Sequence, residues 1–281
     1  MSDDSSQMGM ALPRPGKVLK AVLVTLAAVS VVFAVVVNWL PGGDRGNALF
    51  AALTCVPGDV MRGQVWRVVT SGLLTNPVGL GHTLFTLMGL YFLGTDLERR
   101  WGGARLLRLL VIGVVAGNAL AILVDRLAPP GMTILHPPFV FGPEAALVAT
   151  AIAWSRENPS AKIRLFFFLP LTGRQFLWLT LGFCLLGFVY FQGQPEGVVA
   201  PFGGAIAGLA LGGTPSPLRS LYLRIRLSAM RRQGSVLTVE SLLDDRSKTK
   251  KRKEGPPLRV VYGGLEDGDK KKGPKDKRWL N

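Results

Sequence analysis

Several apolar segments of this chain are long enough to cross a lipid bilayer, and no other feature limits its possible folds as strongly. A membrane helix needs about 20 mostly apolar residues, and the first segment, Val18–Leu40, reaches that length directly after a basic stretch. Its apolar run is longer than the core of a signal peptide and no clear cleavage site follows it, so we interpret it as an uncleaved span. Five further spans are predicted: Gly81–Leu97, Leu106–Leu127, Phe139–Trp154, Gln175–Phe191 and the short, glycine-rich Val198–Gly213.

The charges are segregated along the chain. Charged residues make up 18% of the sequence, below the roughly 25% of an ordinary soluble domain, yet the formal net charge is +15. Residues 214–281 carry 18 Lys and Arg against 8 Asp and Glu, and the long apolar remainder is sparsely charged. This pattern excludes an ordinary soluble enzyme and a uniformly basic nucleic-acid binder, and it favours a membrane body with a basic tail.

The basic residues between the spans predict the orientation of the protein. Cytoplasmic connections are enriched in Lys and Arg, and the connections between spans two and three and between spans four and five are the basic ones. These residues are Arg99, Arg100 and Arg105 in the first connection and Arg156, Lys162, Arg164 and Arg174 in the second. We therefore expect both termini in the cytoplasm. Because the sequence carries no organelle signal, we expect a bacterial cytoplasmic membrane.

The predicted fold class is an all-α polytopic membrane protein, a six-transmembrane-helix bundle with a basic cytoplasmic tail. Its parts are a cytoplasmic N-terminal segment at 1–17, a membrane domain at 18–213 and the tail at 214–281. The first loop, about 41–80, is apolar in places but contains no clear span. Such a loop is typical of a segment that lies in the membrane interface.

Four short motifs occur in order along the membrane domain. They are Trp66-Arg67, then His82-Thr83-Leu84-Phe85-Thr86 followed by Gly94-Thr95-Asp96-Leu97-Glu98-Arg99, then Asn158-Pro159 with Lys162-Ile163-Arg164, and finally Pro201-Phe202-Gly203-Gly204 with Gly208. Together they resemble the rhomboid superfamily, which comprises intramembrane serine proteases and inactive relatives that include the Derlins. Its patterns are Trp-Arg, H-x-x-x-N with G-x-x-x-E-R, and H-x-G-G-x-x-x-G. The resemblance implies a rhomboid-type bundle.

Active members of that family use a serine and a histidine, and this sequence departs from the pattern at both positions. The serine motif G-x-S-G aligns with 142–145, so Glu144 stands at the position of the nucleophile and Pro201 at that of the general base. Thr86 stands at the position of the oxyanion-binding asparagine, whereas His82 is retained. Because nucleophilic catalysis needs an activated hydroxyl beside a base, the resemblance implies a pseudoprotease.

Two interpretations of His82 and Glu144 remain open. An acid in the first turn after Pro143 complements the helix dipole, and a histidine at the outer end of a span is common in the interface. Alternatively, the two side chains form a hydrogen bond across the former active-site cavity, because ionisable groups inside a membrane usually need a partner. His82, Thr86, Glu144 and Pro201 are then the candidate client-binding residues.

The other motif residues have structural interpretations. Trp66 and Arg67 either anchor the first loop in the interface or brace it against the spans, and the resemblance implies the brace. Glu98 and Arg99 pair with neighbouring charges, brace the cytoplasmic helix ends, or do both. A spacing of four residues predicts a smooth strip on the sixth span that another helix approaches closely. This strip comprises Gly204, Gly208 and Gly212, with Gly203 beside it.

The tail begins with an amphipathic segment at 218–232, which is predicted to lie on the membrane surface and bind anionic lipid. Its arginines are Arg219, Arg224, Arg226, Arg231 and Arg232. We expect the remainder of the tail to be disordered. Nucleic-acid binding is not expected, because stacking aromatics are nearly absent from the tail.

The resemblance implies a protein that binds transmembrane clients without cleaving them, as an adaptor or quality-control factor, and whose tail could recruit a soluble partner. Two alternatives remain, an active intramembrane serine protease with an atypical site and a transporter or channel. A transporter needs paired charges near the midplane, and few are present. No cofactor and no metal site are expected, because the two cysteines lack the spacing of metal ligands or of a disulfide framework.

Overall fold

The computed structural model describes residues 13–39, 43–165, 169–190 and 197–234. The start of the predicted N-terminal segment, the predicted span ends at Leu40 and Phe191, and the tail after residue 234 lie outside the described residues. The chain divides into two compact units, 1–225 and 226–281. The packing and the site described below belong to the first unit.

Ten α-helices and one two-stranded sheet form within the described ranges. The helices are α1 (Lys17–Asn38), α2 (Gly43–Leu53), α3 (Pro57–Met61), α4 (Arg67–Thr70), α5 (Leu80–Trp101), α6 (Gly103–Leu127), α7 (Glu144–Glu157), α8 (Gly173–Tyr190), α9 (Ala200–Leu211) and α10 (Pro217–Gly234). The strands β1 (Lys162–Leu165) and β2 (Leu169–Thr172) pair antiparallel, with Lys162 opposite Thr172 and Leu165 opposite Leu169. The described part of the chain is thus mainly helical, with one short sheet.

Three of the described helices, α1, α6 and α8, are long and apolar enough to cross a membrane. Only 17% of the apolar window of α1 and 11% of that of α8 is buried inside the protein, so both helices present apolar side chains outward, as lipid-facing helices do. α9 is apolar but has 12 residues, and α7 has 14. The predicted all-α membrane fold agrees with these elements, whereas the count of six spans stays a prediction.

The fourth of the predicted spans begins later than its sequence suggests. The predicted start at Phe139 is wrong, because Val140 forms a β-bridge with Cys55 through two backbone hydrogen bonds of 2.8 and 2.7 Å. Gly142 then adopts a φ of +114°, in the left-handed region that glycine enters without a steric cost. The helix α7 can therefore begin only after this turn, at Glu144.

The centre of the protein is a close contact among α6, α7 and α9, whose facing residues are nearly all glycine or alanine. A Cβ placed on Gly113 of α6 would lie 3.0 Å from the Cβ of Ala149 on α7, and one on Gly117 would lie 2.8 Å from the carbonyl oxygen of Ala200 on α9. Gly203 of α9 faces the backbone of α6 in the same way. Side chains this small let three helix backbones meet.

α7 and α9 run parallel and keep a constant register. The facing pairs are Gly204 with Ala145, Gly208 with Ala149, and Gly212 with Ala153. A Cβ on Gly208 would lie 2.7 Å from the carbonyl oxygen of Ala149, closer than real Cβ contacts come. The glycine strip therefore faces α7 along its whole length. Pro201 lies one helical turn before Gly204, so it belongs to the same end of this helix pair as Glu144.

We predict that Gly204→Ala disrupts this contact. The added methyl group would overlap the backbone of Ala145, and overpacking of this kind typically costs about 1–3 kcal/mol of unfolding free energy. The loss can be measured by thermal or chemical unfolding of the purified protein in detergent micelles.

The matched control is Gly182→Ala on α8, where an added Cβ meets nothing within 4 Å. Because alanine is the better helix former by about 1 kcal/mol, this variant should be as stable as the original chain or slightly more so. Equal stability of the two variants would contradict the close packing of α7 on α9.

Candidate functional site

The polar centre of the molecule is the contact between His82 and Glu144. His82 lies in the first turn of α5, and its Nδ1 accepts a hydrogen bond from the backbone N–H of Asn76 at 3.3 Å. Because a neutral imidazole has one acceptor and one donor nitrogen, its Nε2 carries the proton and donates to Oε1 of Glu144. The side chains remain 20% and 24% exposed. The structure thus brings these two residues into direct contact.

The local backbone directs the Glu144 carboxylate. Pro143 is the N-cap residue of α7, so Glu144 is the first helical residue and its charge lies at the positive end of the helix dipole. A Cβ on Gly142 would collide with this carboxylate. The absence of a side chain at Gly142 therefore gives the carboxylate its place above the turn.

Thr86 and Pro201 complete the set of sequence-predicted site residues, but neither forms a catalytic contact. Thr86 lies one turn after His82 on α5 and is 1% exposed. Pro201 occupies the first turn of α9, where its fixed φ suits the start of a helix. The side chain of Pro201 has no group that can donate or accept a proton. The register of α7 and α9 puts Pro201 at the same end of the helix pair as Glu144. Pro201 supplies no general base there.

No serine side chain is placed for nucleophilic attack beside this pair in the described part of the chain. Ser155 is at the far end of α7, and its hydroxyl donates to the carbonyl oxygen of Ala151 at 2.8 Å. Ser71 is fully buried, and its Oγ accepts a hydrogen bond from Asn118 at 2.8 Å. The site therefore joins an acid and an imidazole without the activated hydroxyl that acyl transfer requires.

A chain of buried hydroxyl groups connects the start of α5 with α1. Thr83 donates to the Oγ1 of Thr75 at 2.9 Å, Thr75 donates to the Oγ of Ser30 at 2.6 Å, and Ser30 donates to the carbonyl oxygen of Leu26 at 2.6 Å. The sequence analysis does not predict this series of hydroxyl hydrogen bonds. Its signal was available, since a serine inside an otherwise apolar span usually has a polar partner.

The buried guanidinium of Arg67 holds the first loop together. Its Nη1 donates to the carbonyl oxygens of Ala51 and Thr54 at 2.6 and 3.0 Å. These carbonyls belong to the end of α2, where helical partners run out. Its Nε donates to Gln64 at 2.6 Å, and its Nη2 lies 3.4 Å from a carboxylate oxygen of Asp59. Arg67 is therefore a brace within the loop.

Trp66 has a different environment from Arg67. It is 54% exposed, and an exposed indole next to apolar helices suits the interfacial region of a membrane. The two adjacent residues thus combine an outward aromatic ring with an inward cation.

Asn118, in the apolar part of α6, connects the loop to the site. Its side chain is 4% exposed, and its Nδ2 donates to the carbonyl oxygen of Val68 and to the hydroxyl of Ser71, both at 2.8 Å. The carbonyl oxygen of Ser71 accepts the backbone N–H of Gly142 at 2.9 Å. Hydrogen bonds therefore run from α6 through the first loop to the turn that positions Glu144.

The motif residues Glu98 and Arg99 lie at the other end of α5. The Glu98 carboxylate accepts the backbone N–H groups of Val18 at 3.1 Å and Leu19 at 3.3 Å, so it caps the N-terminus of α1. The side chain of Arg99 is 74% exposed and forms an ion pair with Asp96 at 3.1 Å. Glu98 thus joins two helices, and Arg99 pairs locally.

The ends of α5, α7 and α9 on this side are joined by further side chains. Asp96 accepts hydrogen bonds from Trp154 and Asn158 on α7, each at 3.1 Å, while Glu157 accepts from Trp101 at 2.8 Å and from Thr214 at 2.6 Å. These contacts fix the helices at the end opposite His82 and Glu144.

An apolar groove opens beside Pro201, between α6, α8 and α9. Its volume is about 410 Å³, and its lining includes Leu120, Val124, Leu185, Phe188, Val199 and Phe202. Two of these residues, Val199 and Phe202, flank Pro201 in the chain. The groove therefore leads to the end of the bundle that holds the His82–Glu144 pair.

The described residues offer neither an activated thiol nor a metal centre. Burial raises the pKa of the Cys55 thiol to about 11, although the positive charge of Arg67 acts in the opposite direction. The thiol is therefore protonated at neutral pH and is a poor nucleophile. Within the described ranges, no group of three or more His, Cys, Asp and Glu side chains could hold a metal ion.

We predict that Arg67→Ala strongly destabilises the protein. The variant leaves the carbonyl oxygens of Ala51 and Thr54 without their buried donor, and the loss of such a donor typically costs about 1–3 kcal/mol. Asp59 keeps its ion pair with Arg62. Unfolding of the purified protein in micelles measures the change.

Arg62→Ala is the control, because Arg62 pairs with the same Asp59 at 3.2 Å but its side chain is 79% exposed. An exposed pair contributes about 0–1 kcal/mol, so this variant should unfold almost as the original chain does. If the two variants lost the same stability, the buried brace would be refuted.

Residues 62–217 match a family model described as Rhomboid domain. The match covers more than half of the chain and contains Arg67, both members of the His82–Glu144 pair and the glycine strip. No curated protein matches the chain.

Proposed function

Because this chain belongs to the rhomboid family, we propose that it is a catalytically inactive member, which binds transmembrane client proteins without cleaving them. The observation that carries this proposal is the His82–Glu144 contact. Under the resemblance, Glu144 stands at the position of the serine nucleophile and His82 is the retained histidine, so their contact would occupy the former catalytic site. Under this proposal the protein is an adaptor or quality-control factor, and the chain crosses the membrane six times with both termini in the cytoplasm.

The chemistry of the site supports the absence of peptide hydrolysis. A serine-type mechanism needs a hydroxyl and a base in hydrogen-bond contact. Glu144 does not supply the hydroxyl, and Pro201 does not supply the base. Removal of the nucleophile or base costs about a millionfold in kcat in a soluble protease where it has been measured. The alternative, an active protease with an atypical site, would have to recruit a hydroxyl that the described residues do not bring to this pair.

The helix lengths support the binding of membrane segments. At 1.5 Å per residue, α7 and α9 are about 21 and 18 Å long, well below the hydrocarbon thickness of about 30 Å. A short helix pair in a bilayer is accommodated by local thinning. A client segment of marginal hydrophobicity would then gain from the apolar groove and from the partly exposed polar groups of His82 and Glu144 at the same end of the bundle, whereas Thr86 is buried and would support the site from within.

The helix at the start of the tail supports membrane-surface binding in the same proposal. α10 covers the predicted segment 218–232, and the apolar residues Leu218, Leu221, Tyr222 and Ile225 are exposed in it. Arg219, Arg224 and Arg226 would face anionic headgroups, whereas the side chains of Arg231 and Arg232 lie outside the described residues. The proposal also includes a soluble partner for the tail and a location in a bacterial cytoplasmic membrane. It assigns no role to nucleic acid.

The first test of this proposal concerns catalysis. We expect no cleavage when the purified protein is incubated with a model transmembrane substrate, and no labelling by a fluorophosphonate probe, because no serine is activated. An active intramembrane serine protease in the same micelles is the positive control. Cleavage products that appear in proportion to the protein would overturn the proposal in favour of the protease alternative.

The second test concerns client binding. A photoreactive residue at Leu185 in the groove should capture discrete membrane proteins in native membranes, and Glu144→Gln should reduce their yield because it removes the charge of the polar pair. The matched position is Val24 on α1, since Leu185 and Val24 are 58% and 60% exposed. The same capture pattern from both positions, unchanged by Glu144→Gln, would count against a client site.

A further inference from the structure

A second cavity lies at the opposite end of the bundle from the His82–Glu144 pair. It has a volume of about 350 Å³ and lies between the start of α1, the end of α5 and the start of α6. Its lining residues are Arg14, Gly16, Thr95, Glu98, Arg99 and Gly103. None of them belongs to the proposed client site.

Two cations line this cavity from different parts of the chain. Arg14 precedes α1 and Arg99 lies in the last turn of α5, and both are exposed at the cavity. The acids nearby are already engaged. Both oxygens of Glu98 accept backbone N–H groups of α1, and Asp96 is shared between Arg99 and Arg100 at 3.1 Å each. Among the described residues around the opening, the three arginines Arg14, Arg99 and Arg100 outnumber the two carboxylates Glu98 and Asp96.

Two glycines in the cavity wall make room for the carboxylate of Glu98. A Cβ on Gly16 would collide with the Glu98 carboxylate, and a Cβ on Gly103 would lie 3.1 Å from Oε1 of Glu98 and against Val18. Because neither position carries a side chain, the Glu98 carboxylate lies against the backbone at both glycines and forms part of the wall. The cations at the rim then face a space of the size found at the lower end of small-ligand pockets, about 300 Å³.

The position of the cavity along α1 indicates which molecule reaches it. The uninterrupted apolar run of α1 begins after Lys17 and Lys20, so this end of the helix lies where hydrocarbon gives way to headgroups. Basic pockets between membrane helices at this depth are typical binding sites of anionic lipid headgroups.

We propose that this cavity binds the phosphate headgroup of an anionic membrane lipid. Arg14 and Arg99 contact the phosphate oxygens through charge-assisted hydrogen bonds, for which the planar guanidinium is well suited. The acyl chains then extend along the exposed apolar surface of α1. The site is separate from the arginines of α10, because it is built from the membrane domain itself and holds one headgroup in a cavity.

The test uses the purified full-length chain in an uncharged detergent, with thermal unfolding as the readout. Dioctanoyl phosphatidylglycerol should raise the Tm in a saturable manner, whereas dioctanoyl phosphatidylcholine and inorganic phosphate should not do so over the same concentrations. Arg14→Gln and Arg99→Gln should each raise the half-saturating lipid concentration about tenfold, the loss expected from one charge-assisted hydrogen bond.

The control variant is Arg126→Gln, which removes one exposed cation from the last turn of α6. The cavity lies at the first turn of the same helix, at the opposite end. Its lipid response should equal that of the original chain. Identical curves for all three variants would overturn the proposal, and so would equal stabilisation by phosphatidylcholine. Equal stabilisation by inorganic phosphate would overturn the assignment to a lipid.

A second measurement needs no variant. A photoreactive phosphatidylglycerol should label peptides that contain Arg14 or Arg99 in the original chain, with labelling suppressed by excess unlabelled phosphatidylglycerol. Saturable labelling confined to peptides of α10 would overturn the cavity as the site, because the arginines of the tail would then account for the binding.

Discussion

The structure depends on the backbone contact among α6, α7 and α9. Inside a bilayer the lipid tails are as apolar as the side chains, so helices associate through close packing rather than through the hydrophobic effect. Gly204 and Gly208 supply that packing because their Cα atoms meet the backbone of α7 directly. A contact this close admits one register, and that register determines which residues stand at each end of the helix pair.

The same contact explains how a polar pair is maintained beside a membrane groove. α7 is held along its length by α9, and its first residue, Glu144, is held from the other side by the turn at Gly142. That turn is bonded through Ser71 to Asn118 of α6 and to a loop that Arg67 braces. The polar pair thus belongs to a continuous hydrogen-bonded framework, and under the proposed function a client would meet preorganised groups rather than order them on binding.

The sequence predicts the membrane helices well but their polar connections poorly. Apolar length gives α1, α6 and α8, and the four-residue glycine spacing gives the packed face of α9. The start of α7 could not be predicted, because it depends on a backbone bridge between Val140 and Cys55, which are distant in the chain. For Glu98, the interpretation as a brace between helix ends agrees with the structure, but its partners, two backbone amides of α1, could not be predicted from local sequence. The β1–β2 hairpin was also missed, since its apolar run carries no strong turn signal.

The two polar attachments of α1 have a consequence for the order of synthesis. α1 leaves the ribosome before Thr75 and Glu98 exist, so it must enter the bilayer without either partner. Ser30 meets this requirement by donating to the carbonyl oxygen of Leu26 within its own helix. The N–H groups that Glu98 later caps lie at the end of α1, where water can accept their hydrogen bonds until Glu98 has been made. These polar groups of α1 can therefore be satisfied before α5, which supplies Glu98, has been made.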